Sequence, residues 1–356
     1  MSPNLLPPDD DLKVACDRIE AGLEFGRETR ILGTGLTGPV GMWLIRLLSE
    51  LRRRRNTTFT IEILTRDRRR TEAIFGDLLS QGWITVTEQN VLRFQLAGRH
   101  PDVVIHGAAA SAQESFGGMQ GLQKFEGVVR GTSQLLSQLD PNRDCRIIFL
   151  SSGSVFGSSL LGSLSAIPPD WPEMPRLDPG GALGHAKRAA EAHLTFHSAA
   201  HPRHTVTICR LFTFVGPLLP LRLNYALGNF IDNAIERRPI TVRSDGSSIR
   251  SYMYFGDMAG WLLRATFQDH RNEIFSIGSE RAISILDLAH LVDDLLGPVG
   301  VKVTGQVAGP SAYAATDMYV PNTRSTREKL SVSEWTSLED GIRKTSQDLR
   351  LKSAPR

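Results

Sequence analysis

The sequence predicts an α/β fold in which helices cover both faces of a doubly wound parallel sheet, followed by a smaller mixed α/β lobe. Two observations carry this prediction. Continuous apolar runs, such as residues 146–150, alternate with segments of helical spacing through the first part of the chain, a pattern typical of parallel strands buried on both faces. Beyond Pro217 the periodicity becomes irregular, with short elements between Pro/Gly turns. That change predicts the smaller lobe.

Length and composition set the class of protein. The 356 residues suffice for one large domain or two smaller ones with real cores. Hydrophobic residues make up 41% and charged residues 22%, as in ordinary globular proteins. The net charge of +3 is small, so we expect neither a nucleic-acid nor a membrane partner. The arginines at 52–55 are interpreted as a solvated helix end rather than an RNA or DNA patch.

Cysteine use and the absence of targeting signals suggest a cytoplasmic protein. Cys16, Cys145 and Cys209 lie far apart without metal-binding spacing, which predicts reduced thiols and no metal site. No run approaches the roughly 20 apolar residues of a membrane span. The acidic, proline-rich N-terminus is unlike a signal peptide.

The elements follow in a regular order. We expect a leader at 1–28 with a short helix at 11–23, a dinucleotide-binding domain at 29–215, and a mainly substrate-binding lobe at 216–356 that is interleaved with the last sheet strands. Predicted strands lie at 59–64, 83–86, 101–106, 146–150 and 205–211. Predicted helices after the first unit lie at 121–139 and 182–200.

A glycine-rich turn begins the first domain. An apolar run ends at Gly35, Gly38 and Gly41, and helical spacing follows, which is the strand–turn–helix start of a dinucleotide site. Glycine permits the tight turn and close approach of a pyrophosphate, and the helix N-terminus provides free N–H groups. The candidate cofactor contacts in this turn are Gly35, Leu36, Thr37, Gly38, Pro39, Val40 and Gly41.

The residues after the second strand bear on which dinucleotide is used. Arg66 suits a 2′-phosphate, whereas the neighbouring Asp67 would accept from a free 2′-hydroxyl. Arg66 favours NADP, and Asp67 keeps NAD open. Asn90 and Val91, after the third strand, are candidate adenine contacts.

Small residues follow the next strand, whose last residue is His106. Ala108, Ala109 and Ala110 would let a flat ring approach the backbone, or they pack tightly against the next helix. His106 itself is interpreted as a core histidine with satisfied hydrogen bonds.

Six motifs in order resemble the extended short-chain dehydrogenase/reductase family, in particular its nucleotide-sugar epimerase/dehydratase branch. They are the segments at 34–41, 102–109, 131–136, 151–157, 210–217 and 245–252 with Asp257. The resemblance implies a Rossmann-type sheet. It also implies an NAD(P)-dependent enzyme of epimerase or ketoreductase type, which moves a hydride at a sugar hydroxyl or ketone.

The resemblance assigns the catalytic positions, with one departure. Ser152 matches the family's Ser/Thr, which orients the substrate oxygen, and Lys187 matches its lysine, which also holds the cofactor. Leu183 stands where the family has its catalytic tyrosine. The leucine side chain can neither accept nor donate a proton, and loss of a positioned base costs about 10²- to 10⁴-fold in rate. None of the five tyrosines is a sequence-local replacement.

Other positions follow from the same resemblance. Gly153 and Ser154 stand where 4,6-dehydratases carry an Asp–Glu pair, which weakens dehydration and Glu-dependent decarboxylation. The expected substrate contacts are Ser152, Ser154, Asn229, Arg250 and Arg327, with Arg250 on the diphosphate; Phe212 and Lys187 contact the cofactor. A homodimer through the helices at 121–139 and 182–200 is implied.

Two further hypotheses stay open. One is a pseudoenzyme that binds cofactor or nucleotide sugar without turnover. The other is a lyase, hydrolase or isomerase that keeps the cofactor as structure. The histidines at 193, 197 and 201 share one helix face and are interpreted as a polar outer surface rather than a zinc site.

Overall fold

A seven-stranded parallel sheet lies at the centre of the protein. The computed structural model describes residues 6–23, 25, 28–55, 57–108, 118–157, 181–223, 225–268, 270–305 and 318–353. The sheet strands are β1 (Arg30–Thr34), β2 (Thr60–Thr65), β3 (Ile84–Glu88), β4 (Val103–His106), β5 (Cys145–Ser152), β6 (His204–Leu211) and β11 (Glu273–Ile277). Their order is β3-β2-β1-β4-β5-β6-β11, and every neighbouring pair is parallel.

The strand order reverses between β1 and β4. In open α/β sheets, ligands bind at such a switch point, beyond the carboxyl ends of the strands. Both strands are almost entirely buried, because helices cover both faces of the sheet. The fold class predicted from the sequence is confirmed.

Ten helices are described. They are α1 (Asp9–Ile19), α2 (Pro39–Arg55), α3 (Arg68–Leu79), α4 (Gly121–Gln138), α5 (Ala182–Ala200), α6 (Ala226–Ile235), α7 (Phe255–Phe267), α8 (Ile285–Leu296), α9 (Arg324–Leu330) and α10 (Leu338–Ser353). Apolar residues of α1, α2, α3 and α7 form a core on one face of the sheet, and those of α4 and α5 form a core on the other. Among the described helices, none is both long enough and apolar enough to cross a membrane.

The smaller lobe has its own core of apolar side chains from α6, α8 and α10. Its remaining strands are β7 (Phe214–Val215), β8 (Ile240–Val242), β9 (Ile249–Arg250), β10 (Met253–Tyr254), β12 (Ile283–Ser284), β13 (Val301–Val303) and β14 (Met318–Tyr319). They form two-stranded sheets β7–β10 and β8–β13 and a three-stranded sheet β12-β9-β14. In the last of these, Tyr319 pairs with Arg250.

Most predicted elements lie within two residues of the observed ones, and the first helix differs most. It ends at Ile19, four residues before the predicted end. Gly22 follows with a φ of +84°, a left-handed conformation that stops the helix.

A buried carboxylate ties α1 to the rest of the molecule. Asp11 is 7% exposed and accepts hydrogen bonds from the Tyr254 hydroxyl and from Nζ of Lys344. Burial, followed by the neighbouring Asp11 carboxylate, raises the pKa of Tyr254. The leader helix is therefore part of the folded domain.

We expect Asp11→Ala to lower the free energy of unfolding by about 1–3 kcal/mol, because the buried Tyr254 hydroxyl and the half-buried Lys344 ammonium group lose their shared acceptor. Asp10→Ala is the matched control, since the Asp10 side chain is 92% exposed and pairs with Lys13 at the surface; it should change stability by less than about 0.5 kcal/mol. Urea unfolding measures both. Equal effects of the two substitutions would contradict the anchoring role.

Candidate active site

The glycine turn packs against the end of β4. Gly35 has a φ of +72°, and a Cβ there would lie 2.5 Å from the carbonyl carbon and oxygen of Gly107. A Cβ at Gly41 would lie 2.3 Å from the backbone of Leu36. Only glycine fits either position. The turn therefore brings the start of α2 directly beside the ends of β1 and β4.

Gly38 differs from the other two glycines. A Cβ at this position would have no heavy atom within 4 Å among the described residues. It lies at the start of α2, whose first residue is Pro39 and whose first hydrogen bond runs from the Met42 N–H to the Gly38 carbonyl. Open space at a helix N-terminus is a cradle that a phosphate can fill. The residues present thus fit a dinucleotide pyrophosphate.

The other residues of the turn have different surroundings. Leu36 is 1% exposed and packs into the core beneath the turn. Thr37, Pro39 and Val40 are half-buried at its surface. Their backbone, rather than the buried Leu36 side chain, borders the open space.

A surface cavity of about 460 Å³ lies at the ends of β2 and β3. It is lined by Arg66, Glu88, Gln89, Asn90 and Arg93. Both Arg66 and Asn90 were expected to contact the adenosine part of a cofactor, and the structure brings them together. Asn90 Oδ1 accepts from the Leu92 N–H at 2.9 Å, which fixes the loop that follows β3.

Asp67 has a structural task. Its carboxylate caps α3, accepting from the Arg70 N–H at 2.9 Å.

Val91 packs against α4. A Cβ at Gly131 of that helix would lie 3.3 Å from a Val91 methyl group. Ala108 is 9% exposed beside Gly35. The predicted positions Ala109 and Ala110 lie outside the described residues.

His106 is a satisfied core histidine, as the sequence indicated. Thr132 Oγ donates to the Val128 carbonyl at 2.9 Å, so it accepts from His106 Nε2–H at 3.1 Å. Nδ1 of the histidine then accepts from Thr34 Oγ at 2.7 Å. Burial, then the charge of Lys187, lowers the pKa of His106 to about 3. It stays neutral and joins β1, β4 and α4.

Ser152 is the last residue of β5, before a 3₁₀ turn at Gly153–Phe156. Its Oγ accepts from the Ser154 N–H at 3.1 Å and from Ser154 Oγ at 2.9 Å. Ser152 is half-buried at the same sheet edge as the glycine turn. Both predicted serines therefore lie together at this edge.

Lys187 reaches the same edge from α5. The side chain is 4% exposed, and Nζ donates to the Leu150 carbonyl at 2.6 Å and lies 4.5 Å from the centre of the Phe149 ring. Burial lowers the pKa of Lys187 to about 8, against the opposing effect of Glu191. Leu183, one helical turn earlier, packs against the core of this face. A hydrocarbon side chain therefore stands one helical turn before Lys187, where the resemblance led us to expect a tyrosine.

Behind these residues, Glu191 forms a buried ion pair. Its two oxygens accept from Arg210 at 3.1 and 2.7 Å, and one also accepts from Ser151 Oγ at 2.5 Å. The Arg210 guanidinium lies 4.8 Å from the Phe156 ring centre. This pair holds α5 against β5 and β6, which sets the height of Lys187 relative to Ser152.

The remaining predicted residues follow β6 in the chain. Phe212 follows β6, is 8% exposed, and lies 4.9 Å from Tyr319 between ring centres. Arg250 is half-buried on β9. Asn229 Nδ2 donates to the Leu223 carbonyl at 2.7 Å, which shapes the preceding loop. Arg327 is engaged by Glu280 at 3.0 Å.

Tyr319 also lies at this sheet edge, although the sequence did not single it out. Its phenol lies beside Ser152 and over Gly153, where a Cβ would be 2.7 Å from the phenol oxygen. Burial raises the pKa of Tyr319 to about 12, against the effects of Ser152 and Arg250. No sequence signal pointed to it, because the pairing of β14 with β9 places it there.

The half-buried His197 of α5 forms a hydrogen bond with His204, the buried first residue of β6. His197 Nε2 and His204 Nδ1 are 2.8 Å apart, and His204 Nε2 lies 3.1 Å from the Asp140 carbonyl. Burial, followed by the neighbouring histidines, lowers the pKa of His197 to about 4. Within the described part of the chain, no group of three or more His, Cys, Asp or Glu side chains could hold a metal ion.

Comparison with known proteins points to one family, which agrees with the resemblance described above. The model of the NAD dependent epimerase/dehydratase family matches residues 31–278. The chain is 25% identical over 223 residues to UDP-glucuronic acid decarboxylase 1 of Arabidopsis thaliana, covering 62% of this chain and 49% of that protein. It is 24% identical over 272 residues to the uncharacterized UDP-glucose epimerase YtcB of Bacillus subtilis (strain 168), covering 75% and 80%. The matches span 37–63% of the length of the plant decarboxylases.

Solved structures share the fold. UDP-glucuronic acid 4-epimerase from Bacillus cereus, in complex with UDP-glucuronic acid and NAD, has a TM-score of 0.75 at 21% identity, with 91% of this chain and 100% of that chain covered. UDP-glucose 4-epimerase from Thermotoga maritima, with UDP-glucose, has a TM-score of 0.73 at 20% identity, with 92% and 100% covered.

The low pKa of His106 makes stability depend on pH. Between its ordinary pKa of 6.5 and the folded value of about 3, the unfolded chain binds a proton that the folded protein does not. Stability therefore falls as pH falls below about 6.5, by up to about 1.4 kcal/mol per pH unit. From pH 6.5 to 5, wild type should lose about 1–2 kcal/mol more than His106→Gln in urea unfolding. Parallel pH curves for the two proteins would contradict this.

Proposed function

The chain belongs to the NAD dependent epimerase/dehydratase family, and on this premise we propose that it is an NAD(P)-dependent enzyme that modifies a nucleotide sugar by hydride transfer. One observation carries the proposal. The open cradle at Gly38 lies on the same sheet edge as Ser152 and Lys187. A dinucleotide with its pyrophosphate at Gly38 runs along this edge, as ligands do at a switch point.

Each residue at the edge has a role in this proposal. A bound nicotinamide supplies the acceptor or donor of the hydride. Ser152 orients the reacting oxygen of the sugar through the neighbouring groups to which it is hydrogen-bonded. Lys187 holds the ribose beside the nicotinamide and provides positive charge; its lowered pKa, about 8, leaves most of it protonated at neutral pH. Leu183 excludes water and takes no part in proton transfer.

The reaction type follows from the turn after Ser152. A Cβ at Gly153 would lie 2.7 Å from both Phe212 and the Tyr319 hydroxyl, so an acidic side chain has no room there. Ser154 has no carboxylate to offer. Elimination of water and decarboxylation therefore lack their acid and base, and simple hydride transfer, in an epimerase or ketoreductase, is the reaction that these residues support.

The substrate proposal rests on Arg250 and on the relatives. Arg250 lies on β9 beside Tyr319, and a planar guanidinium suits a diphosphate. Asn229, Ser154 and Arg327 remain proposed substrate contacts. The relatives named above carry UDP-sugars in their names, which supports a nucleoside diphosphate sugar here.

A homodimer through α4 and α5 is part of the proposal. Leu122 on α4 is 67% exposed and Phe196 on α5 is 71% exposed. Two large apolar side chains on adjacent helices are consistent with a covered face.

NADP is the proposed cofactor in preference to NAD. Arg66 and Arg93 line the cavity at the adenosine end, where two cations suit a 2′-phosphate. Asp67, the residue that would favour NAD, is engaged as the cap of α3.

Leu183 favours a second candidate function. A chain with an intact cofactor cradle and a hydrocarbon at the tyrosine position can serve as a pseudoenzyme that binds the dinucleotide or the nucleotide sugar without turnover. A non-redox lyase or isomerase in the same pocket would also leave the cofactor unchanged. Hydride exchange between the substrate and the bound cofactor separates these from the leading proposal.

Gly38→Ala tests the cradle. We expect at least about tenfold weaker binding of NADPH and NADH, about 1.4 kcal/mol, because the methyl group fills the space for the pyrophosphate. Gly76→Ala in α3 is the matched control, since a Cβ there also meets no described heavy atom within 4 Å. Calorimetric titration measures the affinities. If the unaltered protein binds neither dinucleotide, the proposed function is wrong.

Arg66→Ala tests the choice of cofactor. The NADPH affinity should fall about 10- to 100-fold, as expected for a lost hydrogen bond to a charged group of about 1.5–3 kcal/mol, while the NADH affinity changes less than about threefold. Arg69→Ala, an exposed arginine outside the cavity, is the control. A wild-type preference for NADH, or equal losses for both dinucleotides, would exclude the 2′-phosphate role.

A further inference from the structure

Tyr319, which is far along the chain, lies beside Ser152 at the end of β5. Strand β14 pairs in parallel with β9, which sets Tyr319 opposite Arg250. The ring contacts Phe212 at 4.9 Å between centres. Its hydroxyl lies over Gly153, 2.7 Å from the position of a Cβ there. The absence of a side chain at 153 is thus what admits the phenol.

The hydrogen bonds around Ser152 orient the two hydroxyls. Ser152 Oγ already accepts from the Ser154 N–H and from Ser154 Oγ. Its own proton is therefore available to donate, and the Tyr319 phenol oxygen is its hydrogen-bonding neighbour. A phenol oxygen that accepts from Ser152 directs its own proton away from the serine. Such a proton can be donated to an oxygen bound at this edge.

We propose that Tyr319 is the proton donor of this active site, replacing the tyrosine that Leu183 lacks, and that it serves the reduction of a nucleoside diphosphate keto sugar. The inference rests on the proposed function and deepens it. A phenol that reaches Ser152 from β14 does the work that the family assigns to α5.

The proposed step balances as follows. The carbonyl carbon of the keto sugar accepts a hydride from a reduced nicotinamide, forming a C–H bond as the C–H bond of the dihydropyridine breaks. The electron pair of the C=O π bond moves to oxygen, which takes the proton from the Tyr319 hydroxyl. The ketone is reduced to an alcohol and the nicotinamide is oxidised. Tyr319 is left as a phenolate, which water reprotonates.

The charges nearby suit a donor better than a base. Burial raises the pKa of Tyr319 to about 12, so the phenol is protonated at neutral pH and ready to donate. Ser152 and the positive charge of Arg250 act in the opposite direction, and they stabilise the phenolate that the step leaves behind. This arrangement supports a ketoreductase over an enzyme that begins by oxidising an alcohol.

Tyr319→Phe removes the proton and keeps the contact with Phe212. With NADPH and UDP- or dTDP-linked 4-keto-6-deoxyhexose as probes, we expect single-turnover hydride transfer to slow about 10²- to 10⁴-fold, with NADPH affinity and melting temperature unchanged. Tyr252→Phe is the matched control, because Tyr252 is 7% exposed in the core of the smaller lobe; its rate should stay within about twofold. Leu183→Tyr in the Tyr319→Phe background should recover at least about tenfold.

The outcomes separate the two proposals. Absence of dinucleotide binding by the unaltered protein overturns the proposed function and the Tyr319 role together. Turnover in which Tyr319→Phe equals Tyr252→Phe overturns the Tyr319 role alone.

A measurement without turnover covers a protein that binds NADPH but is inert toward these probes. The ¹³Cζ tyrosine signal that is lost in Tyr319→Phe should shift when UDP-glucose is added to the NADP-bound protein. A shift supports contact of Tyr319 with the substrate, and no shift overturns it.

Discussion

The sheet edge that carries Ser152 and Lys187 depends on the buried ion pair between Glu191 and Arg210. No covalent bond fixes the position of helix α5 along β5, yet Lys187 lies close to the sheet beside Ser152. Glu191 fixes that height, because Arg210 and Ser151 are register neighbours on β6 and β5 and both bind its carboxylate. A buried charge that loses its partner costs about 3–5 kcal/mol, so the helix has one stable position. This contact therefore sets the position of Lys187 relative to Ser152.

Sequence periodicity predicted the sheet and its covering helices because the physics there is local. Strands buried on both faces appear as short apolar runs, and helices such as α4 and α5 show a single apolar face. Boundaries depend on backbone conformation at single residues. Gly22 ends α1 through a left-handed φ that no hydrophobic pattern reveals. The anchoring of α1 by Tyr254 and Lys344 likewise joins segments from opposite ends of the chain.

The residues of the candidate site also divide into those that local sequence predicts and those that only tertiary structure reveals. The glycine turn, Ser152 and Lys187 each follow a strand or lie on a helix, so motif spacing could predict that they lie at one end of the sheet. Tyr319 could not be located by spacing, since its place depends on a two-residue strand pairing in parallel with β9. The resemblance to the family implies a proton carrier on α5, at the position where this chain has Leu183. Tertiary structure was needed to show that Tyr319 lies beside Ser152.

Gly153 links positions that are far apart in the chain. A Cβ there would meet Phe212 and Tyr319 at 2.7 Å, so a side chain at 153 and a ring at 319 exclude one another. A lineage that gained an acidic residue at 153 would have to give up the bulk of Phe212 or Tyr319 in the same step or earlier. The three positions should therefore vary together among related chains. A change between elimination and reduction on this fold would then require that either an acidic side chain at 153 or the ring at 319 fill the same space.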